Sequence, residues 1–93
     1  HNKTMPTANI IISNKLGLHA RAAAKLTQLS GQFSSDIFIA KGARRVNAKS
    51  IMGVMMLAAG LGSTVTIEAN GVDAEQALID LQVLFHEKFG ESE

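Results

Sequence analysis

Short runs of β-branched residues alternate along the chain with stretches of helical periodicity. TANIII, Thr7 to Ile12, predicts a strand, stopped by Ser13, Asn14 and a turn at Gly17. From Ala20 the residues favour helix, and Ala23, Leu26 and Leu29 recur at helical spacing until Gly31 ends the run. FSSDIFIA, Phe33 to Ala40, predicts a second strand, and KGA turns the chain into a short third, RRVNA. Ser50 then stands where an N-cap belongs, ahead of a short helix from Ile51 to about Ala59 that Gly60 and Gly62 close. STVTIEA, Ser63 to Ala69, alternates as a fourth strand does. Beyond the turn at Asn70 and Gly71, Asp73 and Gln76 have the spacing of a capping box, with Asp in place of the usual Ser or Thr. The last helix offers Ala74, Ala77, Leu78, Leu81, Leu84 and Phe85 as one apolar stripe.

The predicted order is therefore strand, helix, strand, strand, helix, strand, helix. Neither a repeat nor a linker interrupts it, so residues 1–93 read as a single domain. A chain of this length builds one core and has little room for an enclosed cavity as well. The economical architecture is α+β, a mainly antiparallel sheet with helices on one face. His1 to Thr4 read as an added remnant before a native start at Met5.

Composition narrows the class. With 46% hydrophobic and 18% charged residues the chain is that of an ordinary soluble globular domain. The absence of cysteine excludes disulfides and thiolate metal sites, and suits a reducing cytoplasm. The longest apolar run, Ile51 to Gly62, is well short of the ~20 residues of a membrane-spanning helix, and HNKTMP has no signal-peptide core. The net charge of +1 conceals an asymmetry: Lys15 to Lys49 carries seven basic residues against Asp36, whereas Glu68 onward carries seven acids against Lys88. The basic part is either a surface for acidic partners or phosphate, or a solvated face.

Three positions offer chemistry. His19 stands between a glycine turn and a helix start, where the first backbone N–H groups lack helical partners and the macrodipole is positive. A phosphoryl group on that imidazole would meet those donors, with Arg21 to pair its oxygens; otherwise His19 is only a cap or a solvated side chain. Ile51, Met52, Val54, Met55, Met56 and Leu57 spread around the whole helical wheel, so some must be exposed. They form either a docking patch, which flexible methionine suits, or a surface covered by loops. Ser50 is sufficiently explained as an N-cap, yet a phosphate there would leave the helix intact while placing about two negative charges beside the apolar residues. His86, off the apolar stripe of the last helix, is expected to face solvent without a role.

LGLHAR followed by NAKSIMGVMML strongly resembles the HPr family, the histidine-containing phosphocarriers of the bacterial phosphoenolpyruvate-dependent sugar phosphotransferase system. The likeness runs from about Thr7 to Phe89 and includes the order of elements. It implies an open-faced β-sandwich of four antiparallel strands with three helices on one face. It also implies that His19 accepts phosphate on Nδ1 from phosphorylated enzyme I and hands it to A-type domains of sugar permeases, so that the chain is a carrier rather than a self-sufficient catalyst. Arg21 matches the arginine that pairs the phosphoryl group, and Ser50 the serine targeted by the ATP-dependent HPr kinase/phosphorylase. Leu18, Ile51, Met52 and Met55 correspond to the docking surface. A cytoplasmic monomer is expected, with no cofactor and no metal.

One departure is Ala22, where many members have proline after the arginine. Proline presets the helical φ angle at a first turn and needs no N–H partner, so its loss loosens the turn slightly; alanine favours helix and keeps a donor. A lone histidine with one arginine and a helix terminus suffices for a relay, and a neighbouring base that activated water would be harmful. No acid is therefore expected beside His19.

Other readings stay open at this point. A carrier of the nitrogen-related branch would pass phosphate to regulatory proteins. A nucleic-acid binder would use the basic stretch, although four phenylalanines without tyrosine or tryptophan provide little for base stacking, and GLG is not a P-loop. A small metabolite-binding regulatory domain would leave His19 and Arg21 unexplained.

Overall fold

The computed structural model describes residues 5–93, so His1 to Thr4, read above as an added remnant, lie outside the described residues. Strands β1 (Thr7–Ile11), β2 (Asp36–Lys41), β3 (Arg44–Asn47) and β4 (Thr64–Asn70) alternate with helices α1 (Ala20–Ser30), α2 (Ile51–Met56) and α3 (Ala74–His86). A 3₁₀ turn, Lys88–Gly90, follows α3. The sheet has the order β1-β4-β2-β3, and every pairing is antiparallel.

The register explains why one face is covered and the other open. Ala8 lies opposite Ile67, Ile67 opposite Ile39, and Ile39 opposite Val46, so one apolar row crosses all four strands. The helices lie over that row: Ala22, Ala23 and Leu26 of α1, Val54 of α2, and Ala77, Leu81 and Phe85 of α3 are buried in one core with it. On the other face Thr7, Glu68, Phe38 and Asn47 form the neighbouring row, and polar contacts replace packing. Arg45 Nε donates to Glu68 Oε1 at 2.7 Å, and its guanidinium lies 3.8 Å from the centre of the Phe38 ring. This is the α+β open-faced sandwich, with helices on one face. No helix among the described residues is long and apolar enough to cross a membrane.

Local expectation fails in three places, while the ends of β1, β3 and β4 shift by one residue. β2 begins at Asp36 rather than Phe33, because the N–H groups of Ser34 and Ser35 donate to Asp73 (2.8 and 2.9 Å) instead of entering the ladder. For the same reason the capping box at Asp73 and Gln76 does not form: Asp73 makes no side-chain cap, and Gln76 donates to Asp80 at 2.8 Å. Finally, α2 stops at Met56, short of Ala59. Arg44 Nη1 and Lys41 Nζ bind the carbonyls of Met56 and Ala58 (2.8 and 3.2 Å), and Ala58 turns into the left-handed region with φ of +50°.

Candidate functional site

The turn before α1 is built by close approach of two backbones. Gly17 has a φ of +64°, and a Cβ on it would stand 2.5 Å from the carbonyl oxygen of Ala59. That closeness lets the Leu18 N–H donate to the Ala59 carbonyl at 2.9 Å, tying the start of α1 to the segment after α2. Leu18 is consequently in the core, 5% exposed, and the docking role expected of it is corrected: a side chain closed off by the helices cannot meet a partner. Leu16, 65% exposed, is the apolar residue this turn presents.

His19 is the N-cap residue of α1, with extended φ and ψ (−71° and 178°) and no side-chain cap bond. The N–H groups of the first turn, including that of Ala22 where proline would have none, lack helical acceptors and carry the positive end of the macrodipole. Arg21 lies exposed on that turn. Together with Lys15, Leu16, Ala20 and Glu91 they line an open groove of about 620 Å³.

Glu91 overturns the expectation that no acid lies beside the histidine. Its Oε2 contacts His19 Nε2, and its Oε1 accepts from Asn14 Nδ2 at 3.1 Å. Burial opposes ionisation of this carboxyl, but the hydrogen bonds from His19 and Asn14, with the charges of His19 and Arg21, outweigh it and hold the group below the ordinary glutamate value. The carboxylate engages Nε2 and leaves Nδ1 uncovered by that contact, so it is not placed as a base for water at Nδ1.

The chain reaches this position through a strained turn. Lys88 and Phe89 both have positive φ (58° and 57°), a conformation costing about 1–2 kcal/mol for each non-glycine residue. Burial of Phe89 against Phe85, with ring centres 4.9 Å apart, and a 2.6 Å bond from Lys25 Nζ to the Phe89 carbonyl offset that strain. Beyond Glu91, the carbonyl of Glu93 accepts from the Lys15 N–H at 3.0 Å and its side chain meets Lys15 Nζ at 3.3 Å.

Ser50 is the N-cap of α2, its Oγ accepting from the Gly53 N–H at 3.1 Å. Of the six apolar residues beyond it, Val54 and Leu57 are buried while Ile51, Met52, Met55 and Met56 are exposed. Since α2 packs on α1, the exposed residues belong to the same layer as His19. His86 is exposed, as its place on the helix predicts. The larger concavity, about 880 Å³ at the start of α3, presents Asp73 and Glu75 and is electrostatically unsuited to phosphate.

The sequence singled out His19, Arg21 and Ser50 as candidates and passed over Asn14 and Glu91, which the fold brings to His19. Asn14 is locally a turn residue, and Glu91 is separated from His19 by 72 positions, so no local pattern connects them.

Comparison with known proteins adds the lineage. The family model described as the PTS HPr component phosphorylation site matches residues 6–87. The chain is 60% identical over 82 residues to the phosphocarrier protein HPr of Cupriavidus necator, spanning 88% of this chain and 92% of that one. Among solved structures it is similar to HPr of Thermoanaerobacter tengcongensis, at a TM-score of 0.92 and 46% identity over 96% of this chain and all of that one. The HPr dimer of the same organism is also similar, at a TM-score of 0.76 and 49% identity, covering 88% and 94% of the two chains. A fold, a helix start and a sequence that agree over nearly their whole length leave one lineage, and this chain belongs to the HPr phosphocarrier family of the phosphotransferase system.

Proposed function

We propose that the chain relays a phosphoryl group through His19, accepting it on Nδ1 from phosphorylated enzyme I and passing it to A-type domains of sugar permeases in the cytoplasm. The observation that carries this reading is the placement of His19 at the open N-terminus of α1, in a groove that a partner can reach. Arg21 pairs the phosphoryl oxygens, and the unbonded N–H groups of the first turn complete the anion site. Ile51, Met52 and Met55 form the docking surface, with Met56 and Leu16 extending it. Ser50 is the target of the HPr kinase/phosphorylase: phosphate on an N-cap is tolerated by α2 but sets charge beside that apolar surface. The carrier acts as a monomer and needs no cofactor.

The test is intact mass after incubation with phosphoenolpyruvate, magnesium and enzyme I, for the native chain and His19→Ala. An acid-labile gain of one phosphoryl group in the native chain alone supports the relay; no gain beside an active enzyme I control removes it. Incubation with ATP and a kinase/phosphorylase then tests Ser50, where Ser50→Ala must abolish any incorporation.

A further inference from the structure

Asn14 is fully buried and bonded to Glu91 of the groove, and its amide has an assignable direction. Nδ2 donates to the Gly17 carbonyl at 2.8 Å and to Glu91 Oε1 at 3.1 Å, while Oδ1 is buried without a partner. The reverse rotamer would turn the amide oxygen onto two oxygen acceptors, so the side chain has one satisfactory orientation. Oδ1 is left unpartnered, so the amide is committed through Nδ2 to Gly17 and Glu91.

From this geometry we infer that Asn14 is a positioning residue for phosphate transfer at His19: by fixing Glu91 it fixes the ring proton on Nε2 and leaves the Nδ1 lone pair free. The logic is one of donors and acceptors. A carboxylate held by Asn14 through Oε1 presents Oε2, an acceptor only, to Nε2. The neutral imidazole must then carry its proton on Nε2, and Nδ1 is left with the lone pair that a nucleophile needs.

The inference rests on the proposed relay and gives it a balanced step. The Nδ1 lone pair forms the new N–P bond as the bond from phosphorus to the phosphorylated donor breaks, its electron pair returning to the donor. No proton moves: the Nε2 proton stays, and the phosphorylated ring becomes a cation facing the Glu91 carboxylate. Glu91 thus stabilises charge that develops during acceptance.

The arrangement makes an unusual prediction for Glu91→Gln. Asn14 Nδ2 would hold the amide oxygen, so the new NH₂ would point at His19 Nε2 and demand an acceptor there. The ring proton should move to Nδ1. Nitrogen-15 spectra of histidine-labelled protein, taken where the ring is neutral, read the tautomer directly. The expected result is a proton on Nε2 in the native chain, on Nδ1 in Glu91→Gln, and a mixture in the double variant Asn14→Ala/Glu91→Gln, where the amide is free to turn. Acceptance of phosphate from enzyme I should slow by about tenfold in Glu91→Gln, the worth of one charge-assisted hydrogen bond.

A native ring with its proton on Nδ1 or distributed between the nitrogens would overturn the inference, as would a Glu91→Gln ring that keeps its proton on Nε2. An inversion that persists in the folded double variant would overturn the part given to Asn14. If Asn14→Ala does not fold, the native chain and Glu91→Gln still decide the tautomer. Tautomers as expected in a native chain that takes no phosphate would instead overturn the proposed relay and leave the assignment of Asn14 and Glu91 standing.

Discussion

At Gly17 a positive φ coincides with a close approach, since a Cβ would stand 2.5 Å from the Ala59 oxygen and 2.7 Å from Gly60 Cα, both backbone atoms that cannot rotate away. Gly17→Ala is expected to destabilise the fold by about 2–3 kcal/mol, the sum of left-handed strain and displaced backbone. A fall in the urea midpoint with an unchanged slope would register it; an unchanged midpoint would refute the close approach. Ser50 illustrates a milder local term. Ser50→Ala loses the bond to the Gly53 N–H and should cost about 1 kcal/mol, whereas Ser50→Asp restores an acceptor at the same N-cap and should recover most of it. At this scale the sequence was informative wherever the chemistry was local, as with a glycine before a helix or a serine at its cap. It misplaced Leu18 on the docking surface, because that residue's burial follows from the Ala59 contact and not from its neighbours in the chain.

Between elements, the loop before β2 and the start of α3 are joined through one carboxylate. Asp73 accepts from the Ser35 hydroxyl and from the N–H groups of Ser34 and Ser35, and Gly71 lets the two segments approach, since a Cβ there would meet Ser35 Oγ at 2.5 Å. The Ser35 hydroxyl bond, with the Ser34 N–H next in weight, draws the Asp73 carboxyl below the ordinary aspartate value. A folded value below the unfolded one contributes stability above the unfolded pKa and loses it as pH falls through the folded value. The native chain should therefore exceed Asp73→Asn in urea midpoint at neutral pH, and the gap should narrow as the solution is taken to acid below the usual aspartate range. A gap independent of pH would exclude the ionised contact. The same scale governs α2. With Met52 and Met55 exposed and Val54 buried, Met52→Asp and Met55→Asp are expected to leave the melting temperature within a few degrees while raising the enzyme I concentration needed for transfer by about tenfold. Equal transfer at every concentration would remove the patch from the docking surface.

Over the whole molecule, the C-terminal turn closes the structure back on its first helix. Phe89 is 1% exposed, stacked edge-on against Phe85, and its carbonyl is held by Lys25 of α1. Phe89→Ala should cost about 3–5 kcal/mol, a large share of the roughly 5–15 kcal/mol by which a domain is stable. For a domain this small that predicts a fall in melting temperature of at least about 10 °C. Because the Phe89 anchor also aims Glu91, residual His19–Glu91 contact should weaken below the melting transition, visible as increased exchange of the amides after residue 88. A tail as protected as in the native chain would show that the Glu93–Lys15 contacts hold it without the anchor.

The sequence by itself determined the elements that short-range physics controls. β-branched alternation placed four strands, the spacing of Ala23 and Leu26 placed α1, and a glycine followed by histidine and arginine placed the candidate site at a helix start. Such signals need only the neighbouring turn or pleat to act. The tertiary structure decided which distant groups meet. α3 packs on β4, β1 and α1, and the turn at Lys88 and Phe89 brings Glu91 to His19 and Asn14. It equally diverted Asp73 from its own helix to the loop at Ser34 and Ser35. A carboxylate has several acceptor sites and no periodicity, so its partner is chosen by whichever donors the packed chain delivers, and that choice exists only once the strands are in register and the helices are in place.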